Sequence, residues 1–231
     1  MNNNQESFGV RRLYHTPFYP ACRKIRVMMA EMGVSAELVE EPAWEQRPQF
    51  LAMNPAGELP ILIDGDGRCV CGSYAIAEYL DEGYHVGDFI GTTLDERAEV
   101  RRLVAWADTK MLKEVTQPLI YEKYFRHLRK QGNPDSGKIR QAKAHLVYHM
   151  GYFEQLLKQR SWMASDRYTL ADIALASHLS LCDYMGDVAW KDNSYLKRWY
   201  ALMKSRPAFR AILTDRVRGI KPPEHYENPD F

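Results

Sequence analysis

At 231 residues, 45% hydrophobic and 26% charged, the chain is long enough for one large domain or two small ones with real cores. Thirty-one Lys and Arg against thirty Asp and Glu leave a net charge of +1, so no whole-chain field draws it to nucleic acid or an anionic membrane. Met1 to Ser7 is polar, no run approaches the roughly 20 apolar residues of a membrane helix, and four cysteines are few, so a reducing, cytoplasmic setting is expected.

Val10 to Tyr14 reads as a short strand, and Ala21 to Met32 as a helix that Gly33 stops. Ala36 to Glu40 alternates apolar and acidic residues like a half-buried strand. Glu41 to Ala52 is a Pro-punctuated connection that carries Trp44. Pro60 to Asp64, a turn at Gly65-Asp66-Gly67, and Arg68 to Cys71 form a hairpin, followed by a helix from Ser73 to Glu82. A βαβ unit followed by a ββα unit makes a thioredoxin-like sheet.

After a linker from Gly83 to Thr92 the chain is helical almost throughout. Thr93-Leu94-Asp95-Glu96 is a capping box opening a long helix that Pro118 is expected to bend or end. Gln131 to Gly137 is a loop, Lys138 to Lys158 an amphipathic helix, and Ser161 to Arg167 a turn. Thr169-Leu170-Ala171-Asp172 is a second box, ahead of the apolar helix Ile173 to Leu181. Tyr195 to Leu213 is the last helix, broken or restarted at Pro207, and the tail beyond Thr214, rich in proline and without periodicity, is expected to be extended or disordered.

The stretch Asn54-Pro55-Ala56-Gly57-Glu58-Leu59-Pro60 describes a place to hold a small peptide. A cis bond before Pro60 would turn the Leu59 amide and carbonyl toward solvent, where an extended peptide could pair with them. Ser73, opening the next helix, would offer a hydroxyl and free amides to a carboxylate. Cys22 lies in the first turn of its helix, where a thiolate is conceivable, but the inward face favours a buried, inert residue. Cys69 and Cys71 share one face of a strand and read as small buried hydrophobes rather than a redox pair. His145 and His149 share a helix face without a third ligand, so no metal is assigned.

The Asn-Pro-x-Gly-x-x-Pro run, the Ser-x-Ala-Ile-x-x-Tyr-Leu helix and Thr-Leu-Ala-Asp-Ile, in that order, resemble the cytosolic glutathione transferase superfamily over residues 11 to 213. The resemblance implies an α/β thioredoxin-like N-terminal domain over 10–83, an all-α helical-bundle C-terminal domain over 93–213, and a Pro-rich tail over 214–231. It also implies that Leu59, Pro60 and Ser73 belong to a glutathione site, and that a Ser, Cys or Tyr near the first helix stabilises the thiolate; Tyr19 is nearest that position. Most glutathione-binding relatives carry Glu or Gln directly before the Ser, where this chain has Gly72. Losing such a contact costs roughly 1.5–3 kcal/mol, so glutathione should bind weakly and no cofactor is assigned.

The tail and Trp44 carry a narrower resemblance. Pro-Pro-x-His-Tyr, the acidic-aromatic end Glu227 to Phe231 and the Glu41-Pro42-Ala43-Trp44 loop look like a glutathione-transferase-like cell-division family of alphaproteobacteria. That family binds the tubulin-like polymer FtsZ, works as a homodimer and is not known for transferase activity. By this resemblance Trp44, Arg216, Arg218, Tyr226, Asp230 and Phe231 would form or support a partner surface, since aromatics and Arg dominate interface hot spots. The competing expectation is an enzyme that conjugates glutathione to apolar electrophiles. Thiol-disulfide exchange through Cys22 lacks the Cys-x-x-Cys pair.

Overall fold

The computed structural model describes residues 9–84, 88–190, 194–217 and 219–228. Its N-terminal part runs β1 (Arg12–His15), α1 (Pro20–Glu31), β2 (Glu37–Glu40), a 3-10 turn at Ala43–Glu45, α2 (Pro48–Met53), β3 (Ile61–Ile63), β4 (Cys69–Cys71) and α3 (Ser73–Tyr84). The strands lie in the order β2-β1-β3-β4; β1 pairs parallel with β2, and β3 antiparallel with β1 and β4. Parallel pairing of β1 with β2 requires a crossover, which α1 supplies, whereas the Asp64–Gly67 turn suffices for β3 and β4. Leu13 sits in register with Leu38 and Leu62, and the buried Leu13 and Leu62 join the core beneath α1 and α3. The opposite face, with Ile61, packs with Cys22, Phe50 and Leu59 into a smaller cluster against α2.

The remainder is helical: α4 (Leu94–Ala105), α5 (Gln117–Ile120), α6 (Arg126–Leu128), α7 (Ser136–Leu157), α8 (Leu170–Tyr184), α9 (Ser194–Ser205) and α10 (Pro207–Leu213). Pro118 does not end the long helix. Wide π-type turns at Trp106–Thr116 and Tyr121–Phe125 flank it, and the path stays helical from Leu94 to Leu128. A changed hydrogen-bond ladder is one way a helix absorbs the missing proline N–H. At α4 the Thr93 hydroxyl accepts from the Glu96 N–H while the Thr92 N–H donates to the Glu96 carboxylate. Pro207 restarts the last helix after Ser205.

Helix α8 is buried along its whole length and forms the spine of the bundle. Its N-terminal Asp172 is fully buried, with Oδ2 accepting from the Thr169 N–H and hydroxyl and Oδ1 from the Met163 N–H and Trp199 Nε1. The N-terminal part is held to this bundle by the burial of α1 and by ion pairs: Arg101–Glu78 at 2.9 Å, Arg206–Glu31 at 2.6 Å, and Arg26–Asp215 at 2.7 Å. Among the described residues no helix is long and apolar enough to cross a membrane.

The tail differs from the extended or disordered segment expected from its composition. Val217 bridges Ile220, and a 3-10 turn at Glu224–Tyr226 folds back onto α1 and α8. Tyr226 is fully buried: Arg23 Nη1 donates to its hydroxyl at 2.9 Å and to Ser180 Oγ at 2.8 Å, and its ring meets Tyr184 edge-on at 5.1 Å. The Val217 N–H donates to the Tyr184 hydroxyl, which donates to the Ile220 carbonyl. His225 Nε2 lies 2.9 Å from the buried Asp183 carboxylate.

Candidate functional site

The peptide-holding stretch forms one wall of a cleft between the sheet and the helical part. The Leu59–Pro60 bond is cis. Asn54 shapes the approach, its Nδ2 donating to the Glu58 carbonyl at 2.8 Å and its Oδ1 accepting from the Ala56 N–H at 3.1 Å. The Gly72 N–H donates to the Pro60 carbonyl at 3.0 Å, which sets the start of α3, with Ser73, beside the start of β3. Among the described residues, neither the N–H nor the C=O of Leu59 has a hydrogen-bond partner, and neither does the Ser73 hydroxyl. Unpaired main-chain groups of this kind are what an extended peptide adds itself to.

Tyr19 is the N-cap of α1, immediately ahead of Pro20, and lines the same cleft as Leu59 and Glu58. Its hydroxyl makes no hydrogen bond among the described residues. Burial, followed by the charges of Cys22, Glu58 and Asp108, pushes it up to about 12, so at neutral pH it is a phenol able to donate. Cys22 is fully buried and pushed up by burial to about 12, which makes it inert.

Across the cleft stand two aromatics. Trp44, half-buried in the 3-10 turn, meets Phe125 edge-on, with ring centroids 5.7 Å apart. Phe125 comes from the second π-type turn, and no local signal marks it as a partner of Trp44. With Phe18 they leave a cavity of about 170 Å³, below the roughly 300–1,000 Å³ usual for a small-molecule site. The Trp44 indole N–H has no partner among the described residues.

A buried polar cluster beside α1 was also missed in the sequence. Lys24 pairs with Asp108, whose other oxygen lies 3.5 Å from His178 Nε2; His178 Nδ1 is 2.8 Å from Thr116 Oγ1. Burial pushes the Asp108 carboxyl up, but Lys24 and His178 outweigh it and hold it at about 2. Its one available signal was a lysine in the middle of an apolar helix.

The remaining candidates separate. Arg216 is exposed and pairs with Glu227, a surface link within the tail. Tyr226 is a correction: at 0% exposure it offers no atoms to a partner and anchors the tail from within. Arg218, Asp230 and Phe231 lie outside the described residues. Cys69 is exposed and Cys71 half-exposed, not the buried pair expected. No group of three or more His, Cys, Asp or Glu able to hold a metal ion occurs among the described residues.

Known proteins resemble both halves of this arrangement. The family model described as glutathione S-transferase, N-terminal domain, matches residues 13–87, and that of the C-terminal domain matches residues 108–216. FtsZ-localized protein A of Caulobacter vibrioides is 41% identical over 224 residues, covering 96% of this chain and 98% of its own length. Glutathione S-transferase 2 of Saccharomyces cerevisiae is 26% identical over 220 residues, covering 90% and 91%. Among solved structures, a glutathione S-transferase from Rhodospirillum rubrum superposes with a TM-score of 0.93 at 47% identity, and FzlA from C. crescentus with 0.93 at 40%; each match covers 96% of this chain and 100% of the other.

Proposed function

The chain belongs to the glutathione S-transferase family, and from that premise we propose that it acts in cell division as a homodimer that binds FtsZ polymers and regulates constriction, rather than as a transferase. The observation that carries this reading is the 41% identity, across nearly the full length of both chains, to a protein named for its localisation with FtsZ. The cleft supports it. Its Trp44–Phe125 pair leaves little room for a small molecule, and Gly72 brings no side chain to hold one. An indole with a free N–H at a cleft rim is the kind of group that anchors a protein partner. Arg216, with Arg218, Asp230 and Phe231 of the same tail, extends the proposed contact surface, while Tyr226 positions it. The test is co-sedimentation of the full chain with FtsZ polymers in the presence of GTP. A chain that stays in the supernatant at all polymer concentrations ends this reading.

A second reading, glutathione conjugation to an apolar electrophile, is favoured by one feature: the unpartnered Tyr19 hydroxyl faces the same cleft as the unpaired Leu59 main chain. Retention on immobilised glutathione and turnover of a generic electrophile at millimolar glutathione would support it. The two readings share an account of Gly72. Its φ of +86° is left-handed, yet no atom lies within 4 Å of where a Cβ would stand. Gly72→Gln therefore meets no steric block, at a backbone cost of about 1–2 kcal/mol. It is expected to tighten glutathione binding about tenfold in calorimetry by restoring one contact of about 1.5 kcal/mol. Unchanged affinity would remove position 72 from the explanation.

A further inference from the structure

Cys22 and Cys182 are fully buried, but the other two cysteines are within reach of solvent. Strand alternation puts Cys69 and Cys71 on one face of β4, while the intervening Val70 packs against the main core from the other. Pairing with β3, Cys71 opposite Ile61 and Cys69 opposite Ile63, fixes that register. The two Sγ atoms stand 3.7 Å apart. Both thiols also approach one acceptor, the Met53 carbonyl, at 3.4 Å from Cys71 and 3.8 Å from Cys69. An exposed pair of free thiols is unusual for a residue that behaves mostly as a buried hydrophobe.

The spacing separates two chemistries. A disulfide needs an S–S distance of about 2.04 Å and Cβ atoms about 3.5–4.5 Å apart, closer than the pleat sets residues two apart in a strand. Two thiolates about 2.3 Å from a tetrahedral zinc-like ion stand about 3.8 Å apart, close to the distance already present. We propose that Cys69 and Cys71 form a two-thiolate chelate for a soft or borderline d10 divalent cation such as zinc or cadmium. The ion bonds to both sulfurs and the two thiol protons leave to solvent, with no change of oxidation state. Cys69 is exposed and Cys71 half-exposed, so the remaining coordination positions would be filled by water or small exchangeable ligands. Neither Cys69 nor Cys71 lines the Trp44 cleft, so the failure of this site would leave the cell-division reading as it stands.

Cadmium titrated into the full chain, kept reduced with a non-chelating phosphine, is the test. The expected result is ultraviolet thiolate-to-cadmium absorption that saturates at one equivalent, with the two solvent-accessible thiols becoming unreactive to an aromatic disulfide reagent. Cys69→Ser and Cys71→Ser should each weaken binding at least about tenfold while leaving the circular dichroism spectrum unchanged. No absorption in the wild type, absorption that survives in both serine variants, or two thiols still reactive after loading would each overturn the proposal.

Discussion

Asp172→Ala is expected to destabilise the protein by about 4 kcal/mol, a large fraction of the roughly 5–15 kcal/mol that holds an ordinary domain folded. The carboxylate has no exposure and accepts from the Met163 N–H, Trp199 Nε1 and both donors of Thr169. Each buried donor left without a partner costs about 1–3 kcal/mol, and Ala supplies no acceptor to any of the four. The contacts also join three segments: the loop before α8, the first turn of α8 and α9. Loss of the cap alone would cost only about 1 kcal/mol. A fall in denaturation midpoint equivalent to that smaller figure would mean Asp172 acts as a local cap, not as a junction. Asp172→Asn keeps the shape and one acceptor oxygen, and should fall between the two.

The same residue predicts a pH dependence. Burial pushes the Asp172 carboxyl up to about 6, against the pull of the N–H and hydroxyl donors that favour its charged form. An unfolded Asp titrates near about 3.9, so between about pH 4 and 6 the folded chain keeps a proton that the unfolded chain has lost. Stability from this group is therefore greatest below about pH 4 and declines as pH rises through 6. Asp172→Asn has no such proton. The stability gap between wild type and Asn should narrow from pH 4 to pH 7, and a gap that widens would reverse the assignment.

What could be read from the chain follows from how local the governing physics is. The Thr169–Asp172 capping box, the Gly65-Asp66-Gly67 turn and the strand start at Pro60 depend on residues within four positions of one another, and each occurs where its local rule puts it. At α4 half of the expected box forms: the Thr93 hydroxyl takes the Glu96 N–H, but the Glu96 carboxylate takes the N–H of Thr92 instead of Thr93. At Pro118 the helix does not end, because π-type turns on either side of Gln117–Ile120 carry the helical path past the missing N–H. Tyr226 misled for a longer-range reason. In a Pro-rich tail it reads as exposed, but its hydroxyl meets Arg23, 203 residues away, and no composition argument reaches that far. Phe125 was invisible for the same reason: it matters because it stands opposite Trp44. Of the cleft, then, Leu59 and Trp44 were legible, and Phe125, which closes it opposite Trp44, was not.

The Trp44 side of that cleft carries the second large expectation. If the cleft rim binds FtsZ polymers, Trp44→Ala should weaken co-sedimentation about thirtyfold or more, the equivalent of about 2 kcal/mol for an aromatic hot spot. The fold should tolerate the change, because Trp44 sits half-buried in a short 3-10 turn outside both buried core clusters. Its one ring contact among the described residues, with Phe125, is worth about 0.5–1.5 kcal/mol. The competing role is packing between the loop and the helical part, and the two roles separate on paired measurements. If Trp44 only packs, Trp44→Ala and Phe125→Ala lower the unfolding midpoint by similar amounts and both still pellet with polymers. If Trp44 is the anchor, Trp44→Ala loses co-sedimentation at nearly unchanged stability. Trp44→Phe then recovers part of it, because a smaller ring keeps the apolar contact and loses the free indole N–H that a partner acceptor would take.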